Sequence, residues 1–154
     1  MRYVLEGLLI AAAAAGGWLL ATPHGEMPVM APHGAAETAA ARTFGFCHSG
    51  GGIDCVVDGD TFWMDGTKIR VADIDAPETH PPRCAEEERL GNAATQRLRA
   101  LLNAGPVTLV TADRDTDQYG RALRIVTRDG KSLGAQLVSE GLARRWTGRR
   151  QPWC

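Results

Sequence analysis

Apolar positions change their spacing several times along this chain, and each change marks an element. From Gly7 to Ala21 they are nearly continuous and uncharged, with Arg2 ahead of them, as in the hydrophobic region of a secretory signal. The run from Tyr3 to Thr22 is also just long enough to cross a bilayer. It reads either as a cleaved signal over residues 1–22 or as an anchor retained over residues 4–22, with a buried Ala-rich helix as the plainer alternative. Residues 23–46 keep neither a helical nor a strand period. Rich in Ala, Pro, Gly and Thr, they read as a flexible linker, which leaves residues 47–154 as the folded domain.

Within that domain, two apolar, β-branched runs in residues 55–79 flank Asp65-Gly66, a strong hairpin signal. The first run opens on Asp58-Gly59-Asp60-Thr61 and the second closes on Asp75-Ala76-Pro77-Glu78. With a suitable register and twist, the hairpin folds these two carboxylate clusters towards each other. His80-Pro81-Pro82 then interrupts regular structure. Leu90, Ala94, Leu98, Leu101 and Leu102 share one helical face over residues 85–103. Glu86, Glu87 and Glu88 complement the dipole at its start, and Gly105-Pro106 ends it. A short strand over 107–111, a polar loop over 113–120 and a returning strand over 121–127 follow. Ser132 is placed to cap a second helix carrying Leu133, Leu137 and Val138, with Gly141 as its stop. The order strand, strand, helix, strand, strand, helix suits an α+β domain of mainly β character, a small barrel with a helix across one end, as in an OB-fold.

Composition narrows this picture only slightly. The chain's 154 residues allow one domain and a short appendage. A net charge of −1 gives no global positive field, so attraction to any polyanion must be local. Cys47, Cys55, Cys84 and Cys154 form an even set without a C-x-x-C pair, which in an exported protein suggests two disulfides. Cys47 and Cys55 bound a Gly-rich loop containing His48; zinc is a reading of that loop, but the spacing fits no standard zinc pattern. The favoured pairing is Cys47–Cys55 with Cys84–Cys154, one of three connectivities. His24 and His33 are too isolated for a metal site.

The candidate chemistry lies in the acids and arginines. Phosphodiester hydrolysis needs a water activated near an anion and positive charge on the phosphoryl oxygens. Arginine supplies a planar, permanently charged fork for those oxygens, and Arg70 and Arg121 are the candidates. A hard divalent cation takes oxygen ligands, so Asp60 and Asp75 suit it better than His or Cys. Glu78, just past Asp75 across Pro77, is free to take a proton from water. Each also has a plainer reading. Asp58 and Asp65, beside glycines, are turn formers, and Asp60 alone could be another. The arginines could be surface ion-pair partners, and Glu78 a loop cap. Asp73 shares strand parity with Asp75, adding charge near a metal or facing solvent. His80, near Glu78, reads as a loop histidine with an acid–base group as its alternative, and Asp113 and Asp115 as solvated loop acids.

Three motifs in order carry a family likeness: Val57-Asp-Gly-Asp-Thr61, Arg70-x4-Asp75-x-Pro77-Glu78-Thr79, and Asp117-Gln-Tyr-Gly-Arg121. Over residues 55–144 the chain resembles the thermonuclease, or staphylococcal nuclease-like, family. The resemblance implies a five-stranded OB-fold barrel with two packed helices, preceded here by the N-terminal apolar helix. It also implies calcium dependence and hydrolysis of DNA and RNA. By position, Asp60, Asp75 and the backbone carbonyl of Ala76 resemble the metal ligands, Glu78 the water-activating acid, and Arg70 and Arg121 the phosphate-binding arginines. Tyr119 resembles a phosphate contact. The likeness departs at Gln118 and after Leu142, where Trp146 takes the place of base-stacking aromatics. Arg144 and Arg145 either track the substrate backbone or become solvated surface if Cys154 pins the tail to Cys84. The expectation is an exported monomer, periplasmic or secreted, cutting single-stranded DNA or RNA, its N-terminal segment engaging the membrane or secretion machinery. The alternatives are a non-catalytic OB-fold module that binds nucleic acid or a protein, and a disulfide-stapled scaffolding domain of the envelope.

Overall fold

A computed structural model describes residues 36–48 and 51–154; the expected signal or anchor, the N-terminal apolar helix and most of the linker lie outside the described residues. The elements are β1 (Ala36–Ala39), β2 (Gly45–Phe46), β3 (Cys55–Asp58), β4 (Thr61–Met64), β5 (Thr67–Val71), β6 (Ile74–Asp75), α1 (Ala85–Asn103), β7 (Val107–Thr116), β8 (Ala122–Arg128), β9 (Lys131–Ser132), α2 (Leu133–Ser139) and β10 (Arg144–Arg145). The fold is a sheet-dominated α+β domain with two helices.

The hairpin forms where Asp65-Gly66 predicts it. Asp65 and Gly66 both take positive φ, 54° and 74°, as the tight turn between β4 and β5 requires. The register sets Phe62 against Ile69 and Trp63 against Lys68. Phe62 and Ile69 are buried in the core, while the Lys68 ammonium lies 5.8 Å from the Trp63 ring on the wetter side. The first apolar run is not one strand, however. It folds back at Gly59-Asp60 into β3 and β4, which pair antiparallel with a register shift between Val56 and Asp58.

The strand path is β1-β7-β8-β5-β4-β3-β2, with β9 added to β8. β5 and β8 are parallel, and the other neighbours on this path are antiparallel except β2 with β3. The sheet thus has eight strands, seven along this path and β9 beside β8, an arrangement consistent with the expected OB-like α+β fold and larger than five strands. β3, β4, β5, β7 and β8 are its body, and three short strands extend it.

Two of those extensions correct the expected linker. β1 pairs with β7 from Ala36↔Val110 to Ala39↔Val107, and Phe44 is core, edge-on to Phe62 at 6.0 Å between ring centroids. Residues 36–46 therefore belong to the folded unit. The expected polar loop over 113–120 is half strand: β7 runs on to Thr116, and residues 117–120 turn. Both faces of that extension meet solvent, so its polar composition conceals its conformation.

α1 matches its predicted span and is buried along Gly91, Ala94, Thr95, Leu98, Leu101 and Leu102, with Leu90 at the edge. Glu87 joins that buried face. Its carboxylate accepts the Arg83 backbone N–H at 2.6 Å and the Arg83 guanidinium at 3.2 and 3.3 Å, so it organises the entry to α1 rather than only facing the dipole. Ser132 caps α2 by accepting the Ala135 N–H at 2.9 Å, and Gly141 follows the helix with φ 72°. Cys47 bonds Cys55, and Cys84 bonds Cys154.

Candidate active site

The β4–β5 register begins the site. Thr61 stands opposite Arg70, which brings the Arg70 guanidinium to Asp60, the residue before β4. Arg70 Nη2 lies 3.1 Å from Asp60 Oδ2, and both residues are almost wholly buried. The same oxygen accepts the Ala76 N–H at 3.4 Å, and Oδ1 accepts the Thr61 hydroxyl at 2.8 Å. Arg70 Nη1 donates to the carbonyls of Val71 at 3.1 Å and Ile74 at 3.3 Å. One guanidinium thus ties Asp60 to the turn that carries Asp75.

Close backbone approach fixes the second half. A Cβ on Gly59 would stand 2.6 Å from Ala94 Cβ and 2.9 Å from Ala76 Cβ. A Cβ on Gly91 would stand 2.9 Å from the Pro77 carbonyl oxygen and 3.1 Å from that of Glu78. These two glycines let α1 press directly on the segment that presents Asp75 and Glu78. Arg150, from the C-terminal tail, bridges the two acids: its Nε is 3.8 Å from Asp75 Oδ1, and its Nη1 contacts Glu78 Oε1.

Arg121 arrives from the other side, one residue before β8. Asp117 Oδ1 accepts the backbone N–H groups of Tyr119 at 2.9 Å and Arg121 at 3.0 Å, and Oδ2 accepts Arg121 Nε at 2.7 Å. The turn is therefore built around one carboxylate that also aims the guanidinium. Arg121 Nη1 reaches the Thr61 hydroxyl at 3.4 Å, joining the Asp60–Arg70 network. Arg121 and Arg150 line two adjoining clefts of about 480 and 420 Å³. Arg70 and Arg114 line the larger, Lys68 and Glu78 the smaller, and Tyr119 both. Five cationic side chains line the two clefts against three acids, Asp113, Asp117 and Glu78, an excess of positive charge that the chain's net −1 does not show.

The acids show the opposite strain. Burial, then the neighbouring Asp60 charge, pushes Asp58 up to about 7. Burial also raises Asp75; Arg150 and Arg70 work against it and Asp60 with it. Neither carboxylate oxygen of Asp75 has a hydrogen bond within 3.5 Å, although the Gln151 backbone N–H lies near enough to help hold its carboxyl down; so sparse a set of partners is unusual for a buried carboxylate. Among the described residues, no three or more His, Cys, Asp or Glu side chains are grouped to hold a metal. The donors are therefore two carboxylates, with backbone oxygen, water or a ligand's oxygens needed to complete a shell. That set fits a hard cation such as calcium or magnesium.

The sequence candidates divide accordingly. Asp60, Arg70 and Arg121 share one hydrogen-bonded network through Thr61, Arg150 joins Asp75 to Glu78 beside it, and Tyr119 stands exposed at the cleft. Ala76 is beside them, with its N–H turned to Asp60. Trp146 lines the larger cleft but covers the Arg70 guanidinium at 5.0 Å. Arg144 and Arg145 lie elsewhere: they pair with Asp75 and Ile74 through the backbone as β10, and the Arg144 side chain stacks on Trp153 at 3.8 Å and donates to the Pro152 carbonyl. Asp73 neither faces the site nor simply faces solvent; its Oδ2 accepts the Ser132 hydroxyl at 2.6 Å. Asp58 accepts the Asp60 N–H, as a turn former does. The sequence assigns no role to Arg150, and Asp117 enters it only as the head of a motif. The x-D-x-x-G-R turn could have pointed to Asp117; nothing local marks Arg150 among four tail arginines.

Residues 68–152 match the family model described as staphylococcal nuclease homologue. The chain is 38% identical over 97 residues to endonuclease YncB of Bacillus subtilis, covering 60% of this chain and 46% of that protein. It is 36% identical over 102 residues to endonuclease YhcR of the same organism, covering 59% of this chain and 8% of that protein. The succinoglycan biosynthesis protein ExoI of Rhizobium meliloti is 32% identical over 133 residues, with 73% of this chain and 68% of that protein covered. The chain thus spans less than half the length of the two endonucleases.

Proposed function

Because the chain belongs to the staphylococcal nuclease homologue family, we propose that it is an exported, calcium-dependent nuclease that hydrolyses phosphodiester bonds in single-stranded DNA or RNA with low sequence preference. The observation that carries this reading is the buried Asp75 carboxylate, with no hydrogen bond within 3.5 Å, beside the Asp60–Thr61–Arg121–Arg70 network. Asp60, Asp75 and the Ala76 carbonyl are the oxygens proposed to hold the calcium ion, which supplies positive charge against the substrate phosphate.

Arg121 lines both clefts while Asp117 holds it in place, and its guanidinium is proposed to bond the phosphoryl oxygens. Arg70 lies deeper, fixes Asp60 and contributes its charge from below. Glu78 takes the proton of the attacking water. Tyr119 holds a flanking phosphate from the cleft wall. Two disulfides support an oxidising compartment, periplasmic or extracellular.

The test is cleavage of denatured DNA by the full-length chain, with calcium or with chelator. Cutting is expected only with calcium. Glu78→Gln and Arg121→Ala are each expected to lower the rate by roughly a hundredfold or more, the scale of a lost general base or charge stabiliser. DNA binding without cutting under every condition selects the non-catalytic module instead.

A further inference from the structure

The C-terminal tail is fastened at both ends across the mouth of the acidic site. At one end β10 pairs with β6, Arg144 opposite Asp75, and the Trp146 N–H donates to the Asp73 carbonyl at 2.9 Å. At the other, Cys154 is bonded to Cys84, at the head of α1 and six residues beyond Glu78 in the chain. Between these ties Gly148 turns the chain at φ 89°, and Arg144 holds Pro152 and Trp153 down. Arg150 projects from this strap onto Asp75 and Glu78.

Arg150 meets these acids in an unusual way. It contacts Glu78 but stays 3.8 Å from Asp75, too far to hydrogen-bond the carboxylate. Its charge therefore offsets part of the cost of burying Asp75 without a side-chain hydrogen bond to either oxygen. Its side chain is 40% exposed and lines both clefts, so it has open space into which to withdraw. A permanently charged group held loosely over two carboxylates occupies the electrostatic position a divalent cation would take.

We propose that Arg150 is a resident counter-ion of the acidic site, held there by the strap, which a divalent cation must displace from Asp75 and Glu78. The inference rests on the calcium-dependent reading above and concerns how that site is controlled. Displacement also frees Glu78 to accept a proton, so cation binding and activation of the base become one event. The Cys84–Cys154 bond confines the guanidinium near the acids and thereby sets how strongly it competes. If Arg150 holds the acids nine-tenths of the time, the apparent dissociation constant for the cation rises about tenfold, because only the vacated fraction binds.

Calorimetric titration of calcium into the full-length wild type, Arg150→Gln, Cys84→Ser/Cys154→Ser and Asp75→Asn chains tests this. Roughly tenfold tighter binding is expected for Arg150→Gln, tightening in the same direction for the unpinned strap, and loss of binding for Asp75→Asn. Thermal unfolding gives a second readout: Arg150→Gln should melt lower than wild type in chelator and gain more from calcium. If the disulfide variant does not fold, the Arg150→Gln arm still decides. Equal calcium affinity in wild type and Arg150→Gln, with both cutting DNA, overturns the inference and leaves the nuclease reading standing. Unchanged calcium affinity with weakened oligonucleotide binding makes Arg150 a substrate contact and also overturns it. Absence of calcium binding in every chain sinks the metal-dependent reading and this inference together.

Discussion

Gly91→Ala separates the two jobs of α1, since its effects on the helix and on the site have opposite signs. As a helix residue, alanine in place of glycine stabilises by about 1 kcal/mol. The added Cβ, however, lies 2.9 Å from the Pro77 carbonyl oxygen and from Thr79 Cγ2, and 3.1 Å from the Glu78 carbonyl oxygen, where ordinary contact begins at 3.4 Å. Two of the three obstacles are backbone, so the helix and the 77–79 segment must separate by about half an ångström. Overpacking of this kind costs about 1–3 kcal/mol. The net is a loss of about 0–2 kcal/mol, small enough to leave the domain folded. Glu78 moves with its backbone, and a 1 Å misplacement in an active site costs about a hundredfold in rate; half that displacement predicts roughly a tenfold loss. Urea unfolding and a test for cleavage of denatured DNA in the presence of calcium are the paired assays. A variant about 1 kcal/mol more stable than wild type, cutting at the wild-type rate, would show that α1 does not press on this segment.

Three further outcomes follow from the packing. Burial would raise Asp117, but the Arg121 backbone N–H, its guanidinium and the Tyr119 N–H hold the carboxyl below its ordinary 3.8. Its stabilising contribution is therefore complete above that value and lost as pH falls below it, so acid unfolding curves should show wild type losing more stability below pH 3.8 than Asp117→Asn; parallel curves refute the account. Phe44→Ala should cost about 3 kcal/mol or more by chemical denaturation, since this ring is buried against Phe62; a negligible loss would return residue 44 to the linker. Removing Cys84–Cys154, which closes a separation of 70 residues, should cost about 2 kcal/mol more than removing Cys47–Cys55, which closes 8. Melting the two double-serine variants side by side tests the order, and equal losses would point to native-state effects in place of chain entropy.

Elements whose signals are local were legible in the sequence. α1 has a full helical stripe and a Gly-Pro stop, the β4–β5 turn has Asp-Gly, and α2 has its serine cap; each is specified within a few residues. Elements defined only by distant partners were not. β1 is Ala-Glu-Thr-Ala, with neither alternation nor bulk, and exists because the edge of β7 offers backbone partners. The far end of β7 is polar on both faces and looked like loop. Glu87 reads as a dipole-facing acid until Arg83 is seen folded over it.

The same division runs through the site. Asp60, Arg70, Asp75 and Glu78 fall within nineteen residues, and hairpin geometry alone brings their stretch together. Arg121 enters by the parallel pairing of β5 with β8, Arg70 opposite Leu123, a long-range step that only its motif made visible. Arg150 has no motif at all. Its place depends on a disulfide closing 70 residues of separation and on a two-residue strand laid against Asp75. The tail arginines in that strand, Arg144 and Arg145, have their backbones held in it, and Arg144 is stacked on Trp153, whereas Arg150, beyond the turn at Gly148, lies over the acids. Charge counting along the tail could not rank these residues, because the strap's two attachments, and not the arginines' spacing, decide which guanidinium reaches Asp75.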